Sequence, residues 1–344
     1  MQKVTIKNSG NTFKVRPSQT VLQAAIEAGI NLPYGCRNGA CGACKAKLLQ
    51  GKVIHDDYQG SAMSDAELIA GNALLCCARP MEDLTIECRE LGGLAGIKPR
   101  ILPARVAKKE QLTHDVIALN LQLPASERLQ FKAGQYIEFI LKDGKRRAFS
   151  IANAPHDSDF LQLHIRVIAG GVFSEYVEKE LQEKAILRLE APFGSFFLRE
   201  DSQKPIILVA GGTGFSPVKG IIEHILHNNI KRDILLYRGA RELRDLYMHD
   251  LCEKWAALMP NITYIPVLSE AADSDSWQGR AGLVHQAVLD DISDLSAYQA
   301  YVCGAPGMCE VAHQSFLQQG LDAEEFFSDA FTFANPVPIP AIQL

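Results

Sequence analysis

Cys36, Cys41 and Cys44 stand in the string Cys36-Arg37-Asn38-Gly39-Ala40-Cys41-Gly42-Ala43-Cys44, with Cys76 and Cys77 further along. Thiolates spaced C-x4-C-x2-C, completed by a fourth from a remote segment, are the ligand set of a [2Fe-2S] cluster, which carries one electron at a time. Cys76 and Cys77 are both candidates for that fourth position. A loop that wraps a compact anionic core must turn its amides inward, and Gly39 and Gly42 supply positions where no side chain blocks the approach. Structural zinc usually takes two short C-x2-C pairs, whereas this chain has one such pair and an isolated upstream Cys. Nine cysteines in 344 residues is an odd number for a disulfide framework. The opening Met-Gln-Lys-Val-Thr-Ile-Lys-Asn lacks the apolar core of a signal peptide, so the expected compartment is a reducing cytoplasm.

Other stretches could bind phosphorylated cofactors. Gly170-Gly171-Val172-Phe173-Ser174 leads into a helical period marked by Val177 and Leu181, so a glycine-rich backbone and a Ser cap meet a helix start, which attracts anions. Arg147, in Arg147-Ala148-Phe149-Ser150, could add a fixed charge and a bidentate donor for phosphate. Further on, Ile206 to Ala210 precede Gly211-Gly212-Thr213-Gly214-Phe215-Ser216-Pro217 and then apolar Val218, Ile221, Ile222 and Ile225. That order reads as strand, glycine turn and amphipathic helix, with Ser216 expected to cap and Pro217 in the first turn. The match is G-x-G-x-x-P, which lacks the closing Gly or Ala of the full dinucleotide fingerprint. Cys303-Gly304-Ala305-Pro306-Gly307-Met308 follows another apolar strand, and Cys303 by itself reads as a buried small residue. Arg238, Arg241 and Arg244 follow the strand Ile234 to Tyr237, where an adenosine ribose would lie. Arginine there can accept a 2′-phosphate or serve as surface charge, so NADH and NADPH both stay open, with NADH the slight preference.

The elements that must carry these groups fall into blocks. At 344 residues the chain exceeds one ordinary core, and 47% hydrophobic with 22% charged content is that of a soluble globular protein. No apolar run approaches the roughly 18 residues of a membrane span, and net charge −5 without a Lys/Arg stripe argues against nucleic acid. Residues 1–92 hold ten Lys and Arg against nine Asp and Glu, leaving the acidity to the rest. Gly92 to Pro99 reads as a linker. From Leu102 short alternating runs, such as Leu119, Leu121 and Leu123 or Leu161, Leu163, Ile165 and Val167, predict an antiparallel barrel or sandwich. From Pro205 apolar runs followed by helical periods predict a parallel α/β unit.

Residues 1 to about 92 resemble a plant-type ferredoxin of the β-grasp fold, with Leu74-Leu75-Cys76-Cys77-Ala78-Arg79-Pro80 as its closing segment. In that segment the ligand lies four residues before the proline, which implies Cys76 and leaves Cys77 as a buried small residue. Arg147 to Ser150 resembles the R-x-Y-S signature of the ferredoxin-NADP reductase superfamily, and Gly170 to Ser174 resembles its flavin pyrophosphate loop. The resemblance implies an antiparallel Greek-key flavin-binding barrel in which Arg147 meets the flavin phosphates, Ala148 belongs to the same signature and Phe149 flanks the ring. It puts Ser150 by the reactive nitrogen and the pyrophosphate on Gly170, Gly171, Val172 and Ser174. Phe149 departs from the usual Tyr and loses a hydroxyl hydrogen bond. His164-Ile165-Arg166 resembles the family's cofactor-lining strand and favours FAD over FMN.

The same resemblance makes Gly211, Gly212, Thr213, Gly214 and Pro217 the nucleotide turn of a parallel α/β nicotinamide-binding domain. Cys303, Gly304, Pro306 and Met308 match its C-G-x-P-x-M segment, so Ser150 and Cys303 become the catalytic candidates. Phe331 closes an aromatic segment that packs over the flavin in some members; core packing is the alternative. The implied division is 1–92 ferredoxin, 93–101 linker, 102–203 FAD barrel, 204–335 NAD(P) domain and 336–344 tail. The chain is thus similar to the ferredoxin-fused flavin reductases, the group with the reductases of aromatic-ring dioxygenases, of phenol hydroxylases and of CDP-6-deoxy-3,4-glucoseen synthesis, the last nearest. Electrons would leave NAD(P)H as hydride, pass to FAD, and go singly to the cluster and a partner oxygenase or dehydrase, the ferredoxin domain rocking on its linker. A reductase of free flavin or quinone and an iron-sulfur redox-sensing binding protein are the competing readings.

Overall fold

The computed structural model describes residues 1–94, 96–272 and 275–332; the expected tail at 336–344 lies outside them. The N-terminal unit is built from strands β1 (Gln2–Ile6), β2 (Thr12–Val15), β3 (Lys45–Gln50), β4 (Val53–His55), β5 (Asn72–Leu74), β6 (Ala78–Pro80) and β7 (Leu84–Glu87), with helices α1 (Val21–Ala28) and α2 (Asp65–Ile69). Its main sheet runs β2-β1-β7-β3-β5, with β1 and β7 parallel at the centre. Helix α1 starts at a Thr20/Gln23 capping box and stops at Gly29 in a left-handed conformation, burying Val21, Leu22, Ala24 and Ala25. This is the β-grasp arrangement that the resemblance implies.

The second unit comprises β8 (Arg100–Thr113), β9 (Val116–Gln122), β10 (Tyr136–Ile140), β11 (Arg146–Ser150), β12 (Leu161–Arg166), helix α3 (Val172–Lys179) and β13 (Ile186–Phe193). These strands pair antiparallel in the order β11-β10-β13-β8-β9-β12, and an Ile151–Leu163 bridge joins the two edges. Alternation sends Leu161, Leu163 and Ile165 of β12 into the barrel core.

The third unit adds β14 (Ile206–Gly211), α4 (Phe215–His227), β15 (Ile234–Ala240), α5 (His249–Leu258), β16 (Ile262–Leu268), β17 (Arg280–Ala281), α6 (Val284–Asp291), β18 (Gln299–Gly304), α7 (Pro306–Gln318) and β19 (Phe326–Ala330). All its strand pairs are parallel, in the order β17-β16-β15-β14-β18-β19. Ile206, Leu208 and Ala210 face one core and Ile207 and Val209 the other, as a strand covered by helices on both sides requires. Each fully buried Ile or Leu contributes about 1.5–3 kcal/mol. The order reverses between β14 and β18, opening a crevice at their C-terminal ends.

Three local expectations change. The segment read as a free hinge is packed down: Leu91, Leu94 and Phe197 share a small core and the Leu91 amide donates to Asn31 O at 2.8 Å. Helix α4 begins one residue before Ser216 through a 3-10 turn at Gly212–Gly214, and the Ser216 hydroxyl donates to Ser150 O at 2.9 Å instead of capping. Ser174 does not cap α3 either; Gly171 holds that position, and the Ser174 hydroxyl bonds back to Gly171 O at 3.0 Å.

Candidate functional site

The cysteine loop is shaped by left-handed turns at Arg37 (φ 61°), Gly39 (φ 74°) and Gly42 (φ 74°). A Cβ on Gly39 would lie 2.7 Å from Tyr58 Cβ and Cys77 Sγ, and one on Gly42 would lie 2.8 Å from Ala62 O. Both glycines therefore admit the strap at 58–62, a tighter reason than the open approach expected of them. Backbone amides point at sulfur: Ala40 N–H to Cys36 Sγ at 3.3 Å, Cys36 N–H to Cys41 Sγ at 3.4 Å and Cys76 N–H to Cys44 Sγ at 3.5 Å. The thiols associate as Cys36 with Cys41 and Cys44 with Cys76; within each pair the shared contact holds one thiol down and pushes its partner up. Backbone amides directed at the sulfurs of Cys36, Cys41 and Cys44 suit thiolates that would hold an anionic iron-sulfur core. Cys77 Sγ lies 3.6 Å from Cys76 Sγ and is directed at Asp57 O at 3.8 Å.

Beside this loop a cavity of about 590 Å³ opens, walled by all three units: Cys36, Arg37 and Cys76, then Arg147–Ser150 and Gly170–Ser174, then Thr213, Ser216 and Asp329–Thr332. Phe149 packs on Phe173 with ring centroids 5.4 Å apart, and Arg147 stands half-buried at its side. The Gly170 amide is already bonded to Glu175 Oε1 at 2.6 Å, so the donors open to an anion are those at the start of α3, at Val172 to Ser174, where no side chain caps the helix. Ile165 does not line the cavity; its side chain belongs to the barrel core with Leu161 and Leu163, while Gln162, His164 and Arg166 take the other face of β12. His164 is buried against Tyr247, with Nδ1 3.1 Å from the Tyr247 hydroxyl, and burial followed by the charges of Lys219 and Arg238 keeps it neutral. Arg166 pairs with Asp115 at 2.9 Å and reaches Gly212, where a Cβ would meet its guanidinium at 2.9 Å.

At the crevice floor the parallel register sets Cys303 opposite Asp329. The Ser150 hydroxyl donates to Asp329 Oδ2 at 3.2 Å, and Cys303 Sγ lies 4.0 Å from the same oxygen. Burial, then Asp329 and Cys309, pushes the Cys303 thiol well up, so it stays protonated. Asp329 retains some exposure into the cavity, yet it is so enclosed that desolvation lifts its carboxyl to about 6 against the pull of the Ser150 hydroxyl. Sequence reading missed this residue: in Phe326-Phe327-Ser328-Asp329-Ala330-Phe331 the aromatics drew attention, while the one acid among them was the available signal. Phe331 does line the cavity and its amide donates to Gly304 O at 2.9 Å.

Met308 fills the space between the two glycine turns, since a Cβ would lie 2.7 Å from its sulfur on Gly211 and 2.8 Å from its Cε on Gly304. Pro217 is buried in the first turn of α4, while Pro306 starts α7 at the surface. Gly214 has an ordinary backbone conformation (φ −57°), but its Cβ would stand 2.1 Å from Cys303 O and 2.5 Å from Cys303 C. Neither backbone atom can yield without separating β14 from β18. Gly214→Ala is therefore expected to cost roughly 3 kcal/mol of overpacking and to raise KM for the nicotinamide about tenfold or more while flavin absorbance stays near normal; titration of NADH against flavin content checks this.

The expected ribose arginines divide. Arg238 lies inside β15, 1% exposed, with its guanidinium 3.7 Å over Phe215 and bonded to Tyr247 O at 2.7 Å. It cannot reach a 2′-phosphate, because the strand runs past it to Ala240. Arg241 is exposed beyond the strand, and Arg244 pairs with Glu242 at 2.8 Å.

Comparison with known proteins agrees with this layout. Residues 4–81 match the 2Fe-2S iron-sulfur cluster binding domain, 103–198 the oxidoreductase FAD-binding domain and 208–314 the oxidoreductase NAD-binding domain. The chain is 38% identical over 328 residues to the CDP-6-deoxy-L-threo-D-glycero-4-hexulose-3-dehydrase reductase of Yersinia pestis, covering 95% of this chain and 98% of that one. It is 35% identical over 328 residues to reductase component 2 of the terephthalate 1,2-dioxygenase of Comamonas sp, covering 95% and 96%. Among solved structures the Amycolatopsis cytochrome P450 reductase GcoB superposes with TM-score 0.81 at 30% identity, covering 97% of this chain and 100% of that one. The protein holds a [2Fe-2S] cluster, FAD and a nicotinamide coenzyme, and it carries electrons from NAD(P)H through FAD to the cluster. By length, domain order and site chemistry, this chain belongs to the ferredoxin-fused flavin reductases of the ferredoxin-NADP reductase superfamily.

Proposed function

We propose that the protein is the reductase component of a two-protein system, feeding single electrons to a separate dehydrase acting on a nucleotide-linked sugar, in a reducing cytoplasm. The observation that carries the electron path is that one and the same cavity is bounded by Cys36 and Cys76 on one side and by Ser150 and Asp329 on the other. Bound flavin takes an electron pair from a nicotinamide and returns the electrons one at a time. The 38% identity to a hexulose dehydrase reductase, against 35% to a dioxygenase reductase, favours the dehydrase over an aromatic oxygenase as partner.

In this reading Cys36, Cys41, Cys44 and Cys76 hold the cluster. Arg147 and the open amides of α3 bind the flavin phosphates, and Phe149 lies along the ring. Gly211 to Gly214, with Pro217, Gly304, Pro306 and Met308, receive the nicotinamide nucleotide, over domains bounded at 1–92, 102–203 and 204–335. Asp329 Oδ2 accepts a hydrogen bond from the Ser150 hydroxyl and lies within reach of the Cys303 thiol, so one acid orients both side chains. Phe331 and Thr332 line the same cavity. With Arg238 committed to Phe215, NADH is the favoured coenzyme.

Anaerobic mixing of holoprotein with NADH and, separately, NADPH tests the reading. The expected record is loss of flavin absorbance followed by loss of the iron-sulfur bands, faster with NADH; a cluster left oxidised beside reduced flavin overturns it. Cytidine-diphosphate-sugar dehydrase turnover on adding the reductase, with none from an aromatic oxygenase, tests the partner.

A further inference from the structure

Residues Tyr34, Gly35 and Arg37, which flank the cluster ligand Cys36, are each gripped by the barrel. The Ser195 hydroxyl accepts from Tyr34 N–H at 3.0 Å and donates to Tyr34 O at 2.7 Å, while Ser195 N–H donates to the same oxygen at 3.1 Å. The Tyr136 hydroxyl donates to Gly35 O at 2.7 Å. Arg37 lies 4.0 Å over the Phe193 ring and pairs with Glu138 at 3.1 Å, both ends of that pair largely withdrawn from solvent. Tyr136 and Phe193 are packed into the ferredoxin core itself, although they are barrel residues. Behind Ser195, Arg199 donates to Ser195 O at 3.0 Å and is held between Phe197 at 4.1 Å and Phe327 at 4.5 Å, which ties the loop to β19.

The barrel register gives these contacts their meaning. On the β10–β11 pair Tyr136 is the cross-strand partner of Ser150, and Glu138 that of Ala148. Tyr136 and Glu138 also line the cavity, so one strand meets the flavin wall and the cluster loop with the same side chains. A loosely tethered ferredoxin domain would need none of this, and the packed segment at Leu91 and Leu94 removes the slack that such a tether requires.

We infer that Tyr136, Glu138 and Ser195 form a clamp on residues 34–37 that fixes Cys36 against the flavin wall, making the docked ferredoxin domain the form that receives electrons from flavin. This rests on the assignment of Cys36 to the cluster and of the cavity to FAD. The step it governs makes and breaks no bond: one electron leaves reduced flavin and one ferric iron of the cluster becomes ferrous. Tyr136 and Glu138 belong to the cavity wall as well as to the clamp, whereas Ser195 lies outside that wall and is a positioning residue alone.

The test uses holoprotein carrying Ser195→Ala, alone and with Tyr136→Phe, which keeps the ring and removes the hydroxyl. Hydrogen exchange in peptides spanning 31–37 should quicken about tenfold in Ser195→Ala, the worth of one or two net hydrogen bonds, and further in the double variant. Exchange in β12, remote from the clamp, should not change. In anaerobic mixing with NADH, Ser195→Ala should leave the flavin phase as in wild type, and the double variant should slow the cluster phase by roughly tenfold. Unchanged exchange at 31–37 overturns the clamp, as does an undiminished cluster phase in the double variant or loosening spread evenly through the barrel. A wild-type cluster that never reduces rejects the underlying assignment instead.

Discussion

Cys76→Ser should leave the protein without its iron-sulfur absorbance and without electron output from the cluster, while flavin content and flavin reduction by NADH persist. Cys77→Ser should keep the cluster. The two sulfurs are 3.6 Å apart on adjacent residues, so sequence proximity does not separate them. Their partners do. Cys76 sends its amide to Cys44 Sγ and is the thiol held down by contact with Cys44, by Cys77 and by the Gly39 amide. Cys77 is pushed up by its contact with Cys76, aims at Asp57 O and stands against Gly39, where a Cβ would lie 2.7 Å from its sulfur. The Cys76 amide is tied to a ligand sulfur while Cys77 Sγ turns to a backbone carbonyl, and the assignment rests on that difference. Serine at Cys77 keeps a donor for Asp57 O and should cost no more than about 1–2 kcal/mol. Iron and acid-labile sulfide per flavin, measured on both variants, decide; iron retained in Cys76→Ser and lost in Cys77→Ser reverses the assignment.

Legibility in the sequence followed the range of the interactions. The cluster loop was readable because its chemistry is local: three ligands and two left-handed glycines lie within nine residues. The glycine turn before α4 was readable for the same reason, though Ser216 was misjudged, because its hydroxyl answers to Ser150 in another domain. Arg238 was placed past its strand because the apolar run ends at Tyr237, yet pairing with β16 extends to Ala240 and draws the guanidinium under the sheet against Phe215. Ile165 was grouped with His164 and Arg166 as neighbours in sequence, although the two-residue period of a strand puts it on the opposite face. Gly92 to Pro99 has the composition of a hinge, but Leu91 and Leu94 find Phe197 only once the barrel has folded. Asp329 depends on the register of β18 with β19, which no single segment reveals.

Asp329 is also where the second large effect is expected. Its carboxyl is lifted to about 6 from 3.8, chiefly by desolvation, so between pH 4 and 6 the folded protein keeps a proton that the unfolded chain has lost. Stability of the apoprotein from this group therefore falls as pH rises through that interval, and above 6 the full penalty applies, up to about 3 kcal/mol less what water in the cavity returns. Asp329→Asn should raise the apoprotein Tm at pH 7.5 and leave it nearly unchanged at pH 4. Activity should move the other way. Both contacts use one carboxylate oxygen, which an amide can supply, but an amide carries no charge to hold them and cannot take up a proton, and a misplacement of about 1 Å at a reacting centre costs about a hundredfold. Flavin reduction by NADH should show an inflection near pH 6 in wild type, and in Asp329→Asn it should slow by about that factor and lose the inflection. A residue that served packing alone would lose stability and rate together, so opposite signs in the melt and the stopped-flow trace mark a carboxylate kept at a cost in stability for the hydride step. A lower Tm at pH 7.5, or an inflection that survives the substitution, removes Asp329 from that role.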